Sequence, residues 1–286
     1  MKIIRAEHLG MCFGVRDAIA LARHEAAAQP LTVLGDLVHN EMVLEDLRER
    51  GVRFEDDPSR VITDRAMITA HGASEHAKTR ARKAGLALRD ATCPLVLYVH
   101  EELQGLVREG WHPVIVGKHG HVEVSGMTED LGECDVVLTE SDVMALSERK
   151  RFGVVAQTTQ PIARVRSLVS LLQKRFPESA VKLVDTVCRP TKQRQGAALK
   201  LARRSDVVIV IGGVNSNNTR ELVRSCSRDC AHVYQVQGPM DISEEWLKGA
   251  EVVGVTAGTS TPDELIDSVE LRLREMVLQP TALQVT

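Results

Sequence analysis

The chain has 286 residues, of which 43% are hydrophobic and 26% charged, as in an ordinary globular protein with room for two or three compact lobes. Its 36 basic and 39 acidic side chains give a formal net charge of −3, which provides no electrostatic footprint for nucleic acid. The charged N-terminus does not resemble a secretory signal, and no apolar stretch approaches the roughly 20 residues that span a bilayer. We therefore expect a cytoplasmic protein whose six cysteines are reduced, which favours metal or catalytic roles over disulfides.

Short β-branched runs alternate with amphipathic segments rich in Ala, Leu and Arg along the chain. Strands are predicted at residues 31–34, 66–70, 113–116, 152–156, 180–184, 206–211 and 251–255. Helices are predicted at residues 16–28, 40–50, 75–85, 97–109, 161–175, 192–203, 219–229 and 263–277. The strand segments are mostly uninterrupted apolar runs, typical of strands covered on both faces by helices. The alternation predicts an α/β fold with mainly parallel sheets.

Six of these strands form three pairs, and each strand of a pair ends in a polar loop that we call a strand tip. The tips lie at residues 35–40 and 69–74, at 117–121 and 156–159, and at 212–218 and 256–260. Ligands of open α/β sheets bind outside the carboxyl ends of the strands. Such loops are often polar without any function, but six that carry His, Thr, Ser and Asn indicate three lobes around one cavity.

Three cysteines, Cys12, Cys93 and Cys188, lie about a third of the chain apart in turn-like settings. They could converge on one centre, as a [4Fe-4S] cluster held by three thiolates and open at its fourth iron requires. Cys12 also precedes a predicted helix, whose dipole would stabilise a thiolate. The alternative is that a cysteine is only a small buried hydrophobe. That alternative is favoured for the remaining three, Cys134, Cys226 and Cys230.

The strand tips carry further candidate residues. His39, His71 and His121 lie at three matching tips and form a candidate anion-binding set, although a lone histidine is usually an ordinary surface or core residue. Glu123 follows His121 by two residues, a spacing that suits a general acid beside an anionic ligand, although most glutamates are merely solvated.

A phosphate site is also indicated at two predicted helix N-termini. The chain contains no Gly-x-x-x-x-Gly-Lys loop, which argues against a nucleoside triphosphate. Residues 212–219 nevertheless present backbone amides and neutral Ser, Asn and Thr donors ahead of a helix, and Ser260 repeats the arrangement. Helix capping alone explains these residues equally well on local grounds.

Taken together, these motifs resemble the 4-hydroxy-3-methylbut-2-enyl diphosphate reductases, the terminal enzymes of the non-mevalonate isoprenoid pathway. The resemblance runs in unbroken order from Gly10 to about Asp263. Its anchors are Cys12–Val15, Val38–Asn40, Ala70–Gly72, Asp90–Val96, Gly120–Val124, Gln157–Thr159, Cys188 with Arg194 and Gln195, Asn215–Asn218 and Thr256–Asp263. Any one anchor is weak, whereas the ordered set is specific.

The resemblance implies a three-lobed trefoil of αβα domains around a central cluster. It implies lobes at residues 12–92, 93–187 and 188–286, the last joined by 1–11, with one cluster ligand from each: Cys12, Cys93 and Cys188. The diphosphate pocket maps to His39, His71, His121, Ser216, Asn217, Asn218 and Ser260. Glu123 matches the acid that delivers protons, and Thr158 matches the threonine near the substrate hydroxyl, which the open fourth iron binds.

The implied reaction adds two electrons and two protons to the allylic diphosphate, releases water, and yields isopentenyl and dimethylallyl diphosphates. An electron donor such as ferredoxin or flavodoxin is implied, and the cluster is expected to appear as [3Fe-4S] when its fourth iron is lost. The chain departs from the usual pattern beside Cys12 and Cys188, at Leu97 and Tyr98, at Lys118 and His119, and at Asn217. These departures indicate a divergent branch of the family.

Other functions compete with the reductase. One alternative is a paralogous cluster enzyme that acts on another allylic diphosphate. A second is a non-catalytic iron–sulfur or zinc redox sensor, which explains three cysteines but neither Glu123 nor Thr158. A third is a cluster-dependent dehydratase, or an enzyme resembling quinolinate synthase, whose cysteine contexts differ from these.

Overall fold

The computed structural model of the chain describes residues 1–278, which contain twelve strands and ten α-helices. The strands are β1 (Lys2–Arg5), β2 (Leu31–Leu34), β3 (Arg53–Glu55), β4 (Arg65–Ile68), β5 (Ala87–Asp90), β6 (His112–Val116), β7 (Asp135–Val137), β8 (Arg151–Ala156), β9 (Ala180–Leu183), β10 (Val207–Ile211), β11 (His232–Val236) and β12 (Val252–Ala257). The helices are α1 (Phe13–Ala28), α2 (Glu41–Glu49), α3 (Glu75–Lys83), α4 (Pro94–Arg108), α5 (Val122–Thr128), α6 (Glu140–Ala145), α7 (Ile162–Arg175), α8 (Arg189–Ala202), α9 (Asn217–Cys226) and α10 (Asp263–Leu278).

The strands form three four-stranded sheets, and the pairs within each are parallel. At the centre of the sheets β2 pairs with β4, β6 with β8, and β10 with β12. These central strands are nearly completely buried, and β10 is an uninterrupted Val/Ile run with every residue buried, because helices cover both faces of a parallel sheet. The predicted α/β class with parallel sheets is confirmed.

The three sheets repeat one strand order. It reads β3-β2-β4-β5 in the first sheet, β7-β6-β8-β9 in the second, and β11-β10-β12-β1 in the third. The N-terminal strand thus takes the edge position that β5 and β9 take in the other sheets. Each of these three edge strands is followed by one cysteine of the trio, namely Cys93 after β5, Cys188 after β9 and Cys12 after β1.

The chain forms two compact units. One comprises residues 1–12, 39–43 and 192 onward, and the other comprises residues 13–38 and 44–191. The first unit contains the sheet with β1, β10, β11 and β12, and the second contains the other two sheets. The division into lobes at 12–92, 93–187 and 188–286 stays a prediction.

The strands that the sequence did not predict share one property. They are β1, β3, β5, β7 and β11, and each lies at the edge of its sheet. Edge strands are partly exposed and carry mixed polar and apolar residues, so they lack the continuous apolar signal of central strands. Helices α5 and α6, of seven and six residues, were also absent from the prediction because they are too short to show a period.

Three helices begin three residues earlier than predicted. Helix α1 begins at Phe13, α4 at Pro94 and α8 at Arg189, so each cysteine of the trio immediately precedes a helix. Proline at the first helical position is compatible with a helix start, because its missing N–H would have no intrahelical partner there. Among residues 1–278, no helix has the length and apolarity that crossing a bilayer requires.

Candidate active site

The backbone of each trio cysteine is anchored to a strand tip. The N–H of Cys93 donates to Ala70 O at 3.1 Å, that of Cys188 to Thr158 O at 3.0 Å, and that of Cys12 to Thr259 O at 3.3 Å. The accepting residues follow β4, β8 and β12, the equivalent central strands of the three sheets. Each thiol is therefore fixed relative to the carboxyl end of a central strand, where an α/β sheet binds its ligands.

The three accepting carbonyls belong to equivalent turns. The turns span residues 69–72, 157–160 and 258–261, and in each the fourth N–H donates to the first carbonyl, at 3.1, 3.0 and 3.1 Å respectively. The third residue of each turn is His71, Thr159 and Ser260 in the same order. His71 and Ser260 were predicted from the sequence to bind the diphosphate, whereas Thr159 was not.

Thr159 is therefore a candidate that the sequence reasoning missed. Its Oγ1 is buried and has no hydrogen-bond partner among the described residues, so a ligand could supply one. An alignment of the three strand tips in register would have indicated Thr159, because it takes the position of His71 and Ser260.

The thiol of Cys93 packs closely against the first turn of α1. A Cβ atom at Gly14 would lie 2.6 Å from Cys93 Sγ and 3.0 Å from its Cβ, distances that leave no room for a side chain. The sequence places glycine where the thiol needs space. Cys188 Sγ lies 3.0 Å from Thr191 Oγ1 in the first turn of α8.

The other three cysteines behave differently. Cys226 and Cys230 are buried in the core against helix α8 and strand β10, as expected of small hydrophobes. Burial raises the pKa of Cys226 to about 12, so its thiol stays protonated at neutral pH. Burial also raises the pKa of Cys134, which packs beside the core around α4 and α5. A thiol that burial keeps protonated, like those of Cys226 and Cys134, is a poor metal ligand.

A buried carboxyl lies beside the turn that anchors Cys188. Glu123, in the first turn of α5, is only 2% exposed, and Thr158 is 5% exposed. Glu123 Oε1 accepts from Thr158 N at 2.6 Å, and Oε2 accepts from Thr158 Oγ1 at 3.0 Å. Burial raises the pKa of Glu123 to about 7, and the two hydrogen bonds from Thr158 oppose that rise. The carboxyl can therefore hold a proton or release it near neutral pH.

Two of the predicted histidines contact each other, and one of them precedes α5. The rings of His71 and His121 meet edge to face, with centroids 5.6 Å apart and an interplanar angle of 82°. His121 caps α5, and its Nδ1 accepts from Glu123 N at 3.1 Å. A neutral ring that accepts at Nδ1 carries its proton on Nε2, so the Nε2–H of His121 is a donor.

The remaining predicted site residues lie together in the other unit. A Cβ atom at Gly213 would lie 2.5 Å from His39 O, and Ser260 Oγ donates to the same carbonyl oxygen at 3.4 Å. Asn218 Oδ1 accepts from Thr259 N at 3.0 Å. These contacts bring the tip of β10, the tip of β12 and residue 39 into one cluster.

Two buried polar atoms of that cluster lack a hydrogen-bond partner among the described residues. Ser216 caps α9 through its side chain, which accepts from Thr219 N at 3.3 Å. The Nδ2 atoms of Asn217 and Asn218 are buried and have no hydrogen-bond partner within residues 1–278. Leaving a buried donor unpaired costs free energy, so two such donors beside a helix N-terminus favour an anionic ligand there.

The surroundings of Cys93 suit a thiolate ligand of an iron–sulfur cluster. Within residues 1–278, no three His, Cys, Asp or Glu side chains are close enough together to hold one ion. A four-iron cluster instead takes each thiolate on a different iron, so its ligands need not converge on one point. The space that Gly14 leaves for Cys93 Sγ suits a thiolate ligand.

Comparison with known proteins shows one family that matches nearly the whole chain. The family model described as LytB protein matches residues 3–274 of the chain. The 4-hydroxy-3-methylbut-2-enyl diphosphate reductase of Aquifex aeolicus (strain VF5) is 36% identical over 282 residues, covering 96% of this chain and 97% of the relative. The reductase of the same name from Geobacter sp. (strain M21) is 39% identical over 272 residues, covering 94% and 95%.

Solved structures show the same likeness. The E-1-hydroxy-2-methyl-but-2-enyl-4-diphosphate reductase of Plasmodium falciparum has a TM-score of 0.89 at 27% identity and covers 98% of this chain and 89% of that one. A structure of (E)-4-hydroxy-3-methyl-but-2-enyl diphosphate reductase, the terminal enzyme of the non-mevalonate pathway, has a TM-score of 0.69 at 36% identity and covers 96% and 99%. The α/β fold with three parallel sheets agrees with the fold that the resemblance implied, and the chain belongs to the LytB protein family.

Proposed function

We propose that this chain reduces 4-hydroxy-3-methylbut-2-enyl diphosphate to isopentenyl and dimethylallyl diphosphates. Two electrons and two protons are consumed, the allylic C–O bond breaks, and the substrate hydroxyl leaves as water. The observation that carries the proposal is the buried Glu123, whose pKa is raised to about 7, hydrogen-bonded to Thr158 on the turn that anchors Cys188. An acid with a pKa near the working pH is suited to proton transfer.

The proton reaches the leaving oxygen through two side chains. Glu123 holds the proton at its buried carboxyl, and Thr158 Oγ1, 3.0 Å away, can pass a proton on while it accepts one. Protonating the hydroxyl converts a poor leaving group into water. A second proton, delivered to the allylic carbon skeleton, completes the balance.

Cys12, Cys93 and Cys188 are proposed to hold a [4Fe-4S] cluster, which becomes [3Fe-4S] when the iron without a cysteine is lost. When bound, the cluster supplies the electrons and a Lewis-acidic iron for the substrate hydroxyl. The chain contributes thiols that immediately precede α1, α4 and α8, where helix dipoles favour negative charge.

The diphosphate is proposed to bind through imidazoles and neutral hydroxyl and amide donors, without a Lys or Arg clamp. These are His39, His71, His121, Ser216, Asn217, Asn218 and Ser260, to which the turn equivalence adds Thr159. The buried and unpaired atoms Asn217 Nδ2, Asn218 Nδ2 and Thr159 Oγ1 support this assignment, because an anionic ligand would satisfy them. Donors that are already in place cost no reorganisation when the charge arrives.

Two finer assignments complete the proposal. The electrons are proposed to come from a small redox protein such as ferredoxin or flavodoxin, since the reaction consumes two of them. The protein is proposed to work in the cytoplasm, where its thiols stay reduced until a cluster is inserted.

Anaerobic turnover of the hydroxylated C5 diphosphate with a reduced viologen tests the proposed function. The reconstituted chain should form both C5 products, and Cys12→Ser, Cys93→Ser or Cys188→Ser should each abolish turnover and lower the iron and sulfide content. Cys134→Ala is the matched control and should keep both. A reconstituted chain that contains the cluster but yields no product would support the redox-sensor alternative instead.

A further inference from the structure

The loop that connects β10 to α9 contains two glycines immediately before the proposed diphosphate residues. Gly212 has a φ of +150°, and Gly213 lies so close to His39 O that a side chain there would collide with it. Glycine loses more conformational freedom on folding than any other residue, so two of them in succession leave a binding loop that needs external support.

That support comes from the neighbouring edge strand. Gln235 of β11 pairs in register with Val210 of β10, and its side chain reaches along β10 to the loop. Gln235 Nε2 donates to Gly212 O at 3.1 Å and to Gly213 O at 3.1 Å. Both acceptors are carbonyls, which require the amino end of the amide, so the orientation of the side chain is defined by its partners.

The carbonyl of Gly213 links Gln235 to the proposed ligand groups. The same oxygen accepts from Ser216 N at 3.0 Å, in the turn that leads into α9. Ser216 caps the helix, and the unpaired Nδ2 atoms of Asn217 and Asn218 follow in its first turn. The position of one carbonyl therefore sets the start of the helix and the direction of these donors.

We propose that Gln235 is a positioning residue for the diphosphate: it fixes the Gly212–Gly213 backbone and thereby pre-organises Ser216, Asn217 and Asn218 for the anion. This inference rests on the proposed function, since it assigns a support to that same site. Gln235 does not touch the reacting atoms, so its loss should affect substrate binding more than the chemical step.

Gln235→Leu tests the inference, because leucine has a similar size and cannot donate to either carbonyl. We expect the KM for the hydroxylated C5 diphosphate and the Kd for inorganic pyrophosphate to rise in parallel by about ten-fold, the loss expected for one or two neutral hydrogen bonds. The kcat should change less than about two-fold, and the cluster content should stay at the level of the parent chain.

Two further variants complete the experiment. His232→Ala, at the exposed start of the same strand, is the matched control and should leave KM and Kd unchanged. Gln235→Glu places a carboxylate against two carbonyls, so it should weaken pyrophosphate binding at least as much as Gln235→Leu does. It carries the same test if Gln235→Leu does not fold.

The outcomes separate the two proposals. If the parent chain turns over substrate and Gln235→Leu retains its KM and pyrophosphate Kd, the positioning role of Gln235 is wrong, whether or not Tm falls. If the parent chain neither binds pyrophosphate nor turns over substrate, the proposed function is wrong.

Discussion

Glu123 and Thr158 show how burial and hydrogen bonding together set the protonation of one side chain. Burial alone would raise the pKa of Glu123 strongly, because an isolated charge in the protein interior loses its hydration. The N–H and hydroxyl of Thr158 stabilise the charged form and limit the rise to about 7. This balance, rather than the presence of a carboxylate, makes the residue suitable as an acid.

Glu123→Gln should abolish most turnover, because the amide keeps the shape of the side chain and cannot deliver the proton. A loss of about 100-fold or more in kcat is expected for a general acid. In the parent chain kcat should fall as pH rises through about 7, where the acid loses its proton. Steady-state rates measured across this range check both points, and a variant that retains the parent rate would contradict the role of Glu123.

The same substitution should change the pH dependence of stability. The folded state holds the Glu123 proton more tightly than the unfolded state, so this contribution is complete below pH 4.5 and is lost as pH rises through about 7. The Tm of the parent chain should therefore fall as pH rises from 4.5 to about 7, and the Tm of Glu123→Gln should depend less on pH over the same range. Scanning calorimetry of both proteins at several pH values measures the difference.

Thr158→Val should raise the pH at which kcat begins to fall. The substitution removes the hydroxyl that stabilises the Glu123 carboxylate and keeps the backbone N–H that donates to Oε1, so the pKa of Glu123 rises further. The kcat should also fall by about ten-fold if the hydroxyl relays the proton. Thr158→Ser, which retains the hydroxyl, should lose activity at the same pH as the parent chain. If kcat of Thr158→Val falls at the same pH as that of the parent, the hydroxyl does not influence the pKa of Glu123.

At the scale of elements, the relation between a cysteine and the following helix occurs three times. Helices α1, α4 and α8 each begin directly after a trio cysteine, and each cysteine N–H binds the second carbonyl of a strand-tip turn. In each case an edge strand, a cysteine and a helix follow one another in the chain, and the cysteine is held between the strand-tip turn and the helix. Gly14 belongs to this arrangement because it lets α1 pack against Cys93.

Gly14→Ala should displace the Cys93 thiol and lower the cluster content. The new Cβ would lie 2.6 Å from Sγ, so either the thiol or the first turn of α1 must move. Gly196→Ala in α8 is the matched control, since its Cβ would meet no atom within 4 Å. Iron and sulfide per chain after anaerobic reconstitution are the measurements. Equal iron and sulfide contents in the two variants would mean that the Cys93 thiol does not require a glycine at position 14.

At the scale of the whole molecule, the N-terminus completes a sheet that the rest of the chain leaves unfinished. Strand β1 pairs in parallel with β12, with Ile3 opposite Val253 and Arg5 opposite Val255. Further along, Ala6 N donates to Val255 O at 2.9 Å and Gly10 N to Ala257 O at 3.2 Å. The chain from Lys2 to Cys12 is thus held along β12 and its tip.

Deleting residues 1–5 should lower Tm and the cluster content together. The deletion exposes the edge of β12 and removes one end of the segment that carries Cys12. Arg5→Ala is the control, because it removes only the ion pairs of Arg5 with Asp267 and Glu270 at a partly exposed position and should cost about 1 kcal/mol or less. A truncated chain with the Tm and iron content of the parent would show that β1 does not support Cys12.

The sequence predicted the central strands of each sheet, but it did not predict most of the edge strands. Strands β2, β4, β6, β8, β10 and β12 were predicted because buried parallel strands are continuous apolar runs. Of the six edge strands only β9 was predicted, and the other five were missed because their exposure mixes polar residues into them. In the site, the sequence could not show burial either. The spacing of Glu123 from His121 indicated a general acid, but only the structure shows that its carboxyl is buried.

The sequence by itself therefore determined the α/β class, the three pairs of strand tips and the ordered motifs that carry the family resemblance, because apolar runs and short motifs are local properties. Only the tertiary structure decided that each trio cysteine lies at a helix start and donates to an equivalent turn, that Thr159 matches His71 and Ser260, and that Gln235 supports the β10 loop. It also decided that Glu123 is buried, which raises its pKa, and that Thr158 donates two hydrogen bonds to it, which limit that rise. Burial and pairing arise between residues far apart in the chain, so no local pattern encodes them.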